Sequence, residues 1–139
     1  MKLALLLTLV ASSVLAEDAV PPIVKAGFDA FAAKGPEAAW TAWDLDHVDK
    51  LDGDKTQFVS LLSKAQKDYG AVQGYELIHS NEVSASYKNV YVLWRFQKKP
   101  FFCMFVCYRG EREWKIINFF FGSDPRVFLP ASILQVPSK

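Results

Sequence analysis

Residues 90–121 read VYVLWRFQKKPFFCMFVCYRGEREWKIINFFF, and this run constrains the fold more than any other part of the chain. Aromatic and β-branched residues dominate it, a composition that suits a pleated, half-buried surface. Two polar interruptions divide it. Lys98-Lys99-Pro100 closes a first stretch, residues 90–97. RGERE, residues 109–113, holds the one glycine a turn would want and separates 101–108 from 114–121. Each stretch is of strand length, and neither Gly nor Pro interrupts its interior. The expectation is three consecutive antiparallel strands, with the rest of the chain as their cover.

Register follows from the turns. A two-residue Lys98-Lys99 loop sets Gln97 opposite Pro100 and Leu93 opposite Met104. A five-residue second turn sets Tyr108 opposite Trp114 and Met104 opposite Asn118. Side chains alternate along a strand, so two faces emerge. One carries Val90, Val92, Trp94 and Phe96, then Phe101, Cys103, Phe105 and Cys107, then Ile117, Phe119 and Phe121, with Lys115 at its end. That face is core. The other carries Tyr91, Leu93, Arg95, Gln97, Phe102, Met104, Val106, Tyr108, Trp114, Ile116, Asn118 and Phe120. It is too apolar to stand in water as one patch. A second copy, a partner, the C-terminal tail or a ligand is expected to cover it.

At 139 residues the chain is long enough for one domain with a proper core. Residues 1–16, MKLALLLTLVASSVLA, have a basic Lys2, an apolar stretch and small residues before a Val14-x-Ala16 end. This is the pattern of a secretory signal peptide cut before Glu17, leaving 17–139 as the mature domain. The apolar stretch falls short of the ~20 residues of a membrane span. Localisation is therefore expected to be exported, periplasmic or secreted, with no membrane contact after cleavage.

Loss of Lys2 takes the 16 basic residues to 15, equal to the 15 acidic ones. Nucleic-acid binders carry a basic stripe because phosphate neutralisation supplies most of their affinity. No such stripe is present, so nucleic acid is not an expected partner. Export with two cysteines invites a disulfide. Cys103 and Cys107, four apart on one expected strand, are about 13 Å apart, beyond the ~7 Å that a disulfide spans. Both read as buried apolar thiols, and no disulfide is expected.

Upstream, Pro21-Pro22 suits a helix entrance. Residues 23–34 place Val24, Phe28, Phe31 and Ala32 at helical spacing. Gly35 ends that helix and Pro36 starts a second, expected over 37–46, with Trp40 and Trp43 on one face to pack against the sheet. Residues 44–54 hold five aspartates and a histidine. Setting Gly53 at the glycine of a calcium loop puts Val48 first, Lys50 third and Val59 twelfth, so the ligand pattern fails and no metal is expected. Asp54 with Gln57 reads instead as a capping box for a third helix over 56–69. Its apolar stripe is Phe58, Leu61, Leu62, Ala65 and Tyr69. Residues 74–83 read as a first strand carrying His79, and the polar stretch 80–89 is expected to hold a turn before the central strands. After Phe121, the apolar residues Val127, Phe128, Leu129, Ile133 and Leu134 suit a tail that docks.

Three helices followed by four antiparallel strands give an α+β fold, with N-terminal helices packed on the sheet. The PEAAWTAW helix, the break from Gly70 to Gly74 leading into YELI, and the closing WKIINFFF strand before Asp124 carry a likeness. The chain resembles the NTF2-like and cystatin-like α+β rolls, in particular small exported members of unassigned function. That resemblance implies a curved sheet wrapped around helices, a cone-shaped cavity, and dimers formed through the outer sheet face. Ketosteroid isomerase and scytalone dehydratase are enzymes of that group. Such chemistry needs a base in an apolar pocket and donors for a developing oxyanion.

The central strands offer Arg95, Tyr108 and Asn118 but no Asp, Glu or His. His79 and Asp124 are the only candidate bases nearby, and a lone strand histidine is more often structural. Nucleophile-elbow, P-loop, dinucleotide and zinc motifs are absent, so no cofactor is expected. The first reading is thus an exported, non-catalytic interaction module, homodimeric through the outer face. Arg95, Tyr108, Asn118, Tyr91 and Met104 would be its interface or ligand residues. The alternative is a small isomerase- or dehydratase-like enzyme acting on an apolar substrate, with His79 or Asp124 as base. A third reading is a carrier of a small apolar ligand.

Overall fold

Proline opens both of the first helices, where a missing N–H costs nothing and a fixed φ helps. The computed structural model describes residues 20–48, 55–127 and 129–134. Helix α1 runs Pro22–Lys34 and α2 runs Pro36–Ala42. Gly35 joins them at φ 91°, a conformation glycine adopts without steric cost, and its N–H bonds to Phe31 O at 2.8 Å. The second helix is shorter than its expected span of 37–46. Asp44 takes a left-handed conformation at φ 54° and breaks it, and a 3-10 turn, Leu45–His47, follows. Aspartate tolerates that region better than most residues. Trp40 Nε1 fastens the turn by donating to Asp46 Oδ1 at 2.8 Å.

Helix α3 spans Lys55–Tyr69 and buries Phe58, Leu62 and Ala65. Leu61, expected on its apolar stripe, is exposed. Ala32 of α1 is likewise exposed. The expected signal peptide and the Asp54 half of the expected capping box lie outside the described residues.

Four strands follow: β1 Val72–Ser84, β2 Tyr87–Phe96, β3 Pro100–Tyr108 and β4 Lys115–Gly122. They pair antiparallel in the order β1-β2-β3-β4. The domain is therefore α+β, with helices leading into a four-stranded antiparallel sheet. The first hairpin turns at Ala85 and Ser86, inside the polar stretch expected to hold it, and β2 begins at Tyr87, ahead of the apolar run expected from Val90.

Register differs from expectation in an instructive way. Arg95, not Gln97, faces Pro100, and Leu93 faces Phe102. The loop opens because Gln97 N–H donates to Ala71 O at 2.9 Å and Lys98 N–H to Tyr69 O at 2.7 Å. These bonds tie the end of β2 to the α3–β1 junction. The slip is two residues, and an even slip leaves every side chain on its expected face.

The second hairpin departs further. Tyr108 faces Lys115 and Cys107 faces Ile116, but Val106 faces Asn118, so Ile117 is an extra residue in β4. This β-bulge exchanges the two isoleucines. Ile116 is buried, whereas Ile117, expected in the core, is 44% exposed. Lys115 sits opposite Tyr108 rather than on the core face. Trp114, expected on the outer face, packs against the core cluster.

The core is built from rings. Phe28 meets Trp43 at 5.2 Å and Trp94 at 5.0 Å edge-on, and stacks on Tyr75 at 4.4 Å. Trp43 lies 5.2 Å from Phe105 and 5.3 Å from Phe119. Edge-to-face pairs of this kind are worth ~0.5–1.5 kcal/mol beyond the area they bury. Trp40 and Trp43 thus serve packing, as their spacing suggests. Aromatic side chains fill the helix-covered face of the sheet, where the family resemblance implies a cone-shaped cavity.

Candidate functional site

The outer face of the sheet gathers most of the residues the sequence singles out. Cross-strand register aligns them in rows. Glu76, Leu93, Phe102 and Gly122 form one; His79, Tyr91, Met104 and Phe120 the next; Asn81, Asn89, Val106 and Asn118 the third. Tyr87, Tyr108 and Lys115 close the face at the β3–β4 hairpin. Tyr91, Arg95, Met104 and Asn118 therefore share one surface, with Tyr108 at its end.

Arg95 Nε lies 3.7 Å from Glu76 Oε1, and both side chains are more than half exposed. The ring of His79 stacks over Tyr91 at 6.4 Å. Burial raises the Tyr91 phenol above its ordinary pKa. Asn118 Oδ1 accepts from Phe119 N–H at 2.9 Å beside the bulge. Asn89 Oδ1 is buried and has no hydrogen-bond partner among the described residues. Glu76 and Asn89 escaped the sequence reading. Asn89 fell in a presumed turn, and the bulge at Ile78 hides which way Glu76 points.

The two candidate bases do not meet. His79 lies on edge strand β1, while Asp124 follows β4 at the opposite edge, three strand spacings or about 14 Å away along the sheet. Asp124 is clasped by Arg126, whose Nη2 approaches Oδ2 at 2.9 Å. Hydrogen bonds from the Arg126 side chain and backbone hold its carboxyl below the ordinary aspartate value, which weakens it as a base.

Two clefts, of about 500 and 440 Å³, flank Arg112 and Glu113 on the β3–β4 loop. The first is walled by Tyr108 and Lys115, the second by Pro22, Ile23 and Trp114. Neither contains His79 or Asp124. Lys88 is buried on the core face with Nζ 4.5 Å from the centroid of the Trp114 ring, and Arg109 Cζ lies 5.0 Å from it. This cation–π contact shelters a lysine that alternation alone would assign to an apolar position.

Cys103 and Cys107 are buried on the core face and not joined. Burial drives the Cys103 thiol well above its usual value. Burial also pushes Cys107 up to about 12, against a smaller opposing effect of Lys88. Thiolate is the reactive form, so neither cysteine should react with a thiol reagent at about pH 8.5 until denaturant is added. Prompt labelling of the native chain would contradict this arrangement.

Among the described residues no group of His, Cys, Asp or Glu is placed to hold a metal ion. No described helix is long and apolar enough to cross a membrane. No protein-family model, curated protein or solved structure matches the chain.

Proposed function

We propose that the protein is an exported, non-catalytic interaction module that pairs with a second copy through the outer face of its sheet. The observation that carries this is the composition of that face. Leu93, Phe102, Met104 and Phe120 lie in adjacent rows, and Glu76 and Arg95 stand beside them as a pair of opposite charges. A two-fold interface is self-complementary. An axis through the pair sets Arg95 of each copy against Glu76 of the other, so one surface supplies both halves of the match. The isomerase- or dehydratase-like reading needs His79 or Asp124 as a base in an apolar pocket; neither lines the two clefts beside Arg112 and Glu113, and Arg126 holds Asp124 below its ordinary value.

Charge reversal tests the proposal. Arg95→Glu sets two acids against two on apposed faces and is expected to weaken dimerisation at least about tenfold, roughly 1.4 kcal/mol. Native mass spectrometry across a concentration series reads it. A dimer fraction equal to that of the unaltered chain would overturn the proposal.

A further inference from the structure

The buried apolar side chains divide unequally. One contiguous cluster holds nearly all of them, while Tyr91, Val106 and Leu129 are buried outside it. Tyr91 and Val106 lie on the outer face, on the two central strands of the sheet. They are 4% and 6% exposed. Flat neighbours on a bare sheet do not hide a residue so completely, because side chains there stand roughly perpendicular to the surface. The His79 ring covers part of Tyr91, and the rest of the cover must come from atoms above the sheet.

Leu129 is the buried apolar residue outside the core and off the sheet that can supply those atoms. It is 7% exposed without joining the core. It belongs to the segment that leaves edge strand β4 at Gly122, passes through a 3-10 turn at Pro125–Val127 and enters α4 at Ala131–Leu134. Reach permits the contact. Gly122 pairs with Phe102, four residues along β3 from Val106, or about 13 Å. Leu129 lies seven positions on from Gly122, a stretch that spans up to about 23 Å when extended. The turn, closed by Leu129 N–H to Pro125 O at 2.9 Å, shortens that span without bringing it below the need.

We infer that Leu129 seats on Tyr91 and Val106 from above the outer face, so that self-association through that face requires its release. The consequence for pairing rests on the proposed dimer; the cover itself does not. Asn89 Oδ1, cross-strand neighbour to Val106, fits an imperfect cover. It is buried where no described residue donates to it. A second copy offering an N–H or O–H there would satisfy an acceptor that the tail leaves unmet.

The test uses the full chain. Val106→Cys places a reporter thiol on the outer face, opposite in direction to the buried natural thiols. Its rate of alkylation is followed by peptide mass spectrometry. Adding Leu129→Asp is expected to raise that rate about tenfold or more by opening the cover. Adding Val127→Asp, at a residue 78% exposed, is expected to leave it unchanged. With Val106 intact, Leu129→Asp is expected to increase the dimer fraction. An equal alkylation rate with and without Leu129→Asp, in a chain that keeps its native aromatic circular dichroism, overturns the inference. If Leu129→Asp does not fold, Leu129→Ala is measured against the same two criteria. A faster rate without any dimer upholds the cover and refutes the proposed pairing.

Discussion

Gly27→Ala is expected to destabilise the domain by roughly 3 kcal/mol, although alanine is the better helix former. The helix term favours the substitution by only about 0.5–1 kcal/mol. Sterics oppose it. A Cβ on Gly27 would fall on the Trp43 indole, at Nε1, Cε2 and Cδ1. That ring cannot retreat, because Phe28, Phe58, Trp94, Phe105 and Phe119 surround it. Moving it would also strain the bond that Nε1 donates to Val24 O at 2.9 Å, and a buried N–H without an acceptor costs ~1–3 kcal/mol. Guanidinium denaturation measures the loss. A stability equal to or above that of the unaltered chain would mean that the two helices have room to part.

Trp43→Ala is expected to cost as much or more, about 3–5 kcal/mol, by emptying the place where α1, α2 and the sheet meet. Trp43→Phe keeps a ring there but removes the N–H donor, and is expected to cost less. The informative experiment combines the two positions. With Trp43→Phe in place the smaller ring leaves space beside α1, so Gly27→Ala should cost at least about 1 kcal/mol less than it does alone. Strict additivity of the two costs would show that the glycine and the indole are not fitted to one another.

This close approach shows what sequence reveals and what it withholds. Phe28, Phe31, Trp40 and Trp43 were legible as a packing surface because helical spacing and residue size are local properties. The alternation from Val90 to Phe96 and from Phe101 to Cys107 likewise identified the core face of the central strands. Gly27 carried no local signal; its meaning depends on an indole sixteen residues away. The register of β2 against β3 was off by two because bonds to Tyr69 O and Ala71 O, remote in sequence, hold the loop open. Only the parity of the slip preserved the faces.

Ile116 and Ile117 were assigned in reverse because a bulge obeys no periodicity that a strand pattern can express. Of the outer face, Tyr91, Arg95, Met104 and Asn118 were identified from alternation. Glu76 and Asn89 were missed, since their places depend on irregular pairing in β1 and on a strand that starts earlier than its apolar run.

Those irregularities have a further consequence at the rims of the sheet. Strands β1 and β4 are its two edges, and an edge is a template on which a foreign chain can crystallise strand by strand. β1 is long, and β4 ends in Phe119-Phe120-Phe121, a sequence rich in what cross-β assembly favours. Yet the pairing of β1 shifts three times along its length, and that of β4 is interrupted at Ile117. A bulge bends its strand and increases the local twist. Incoming chains therefore meet N–H and C=O groups at uneven intervals, which makes either edge a poorer template for strand addition.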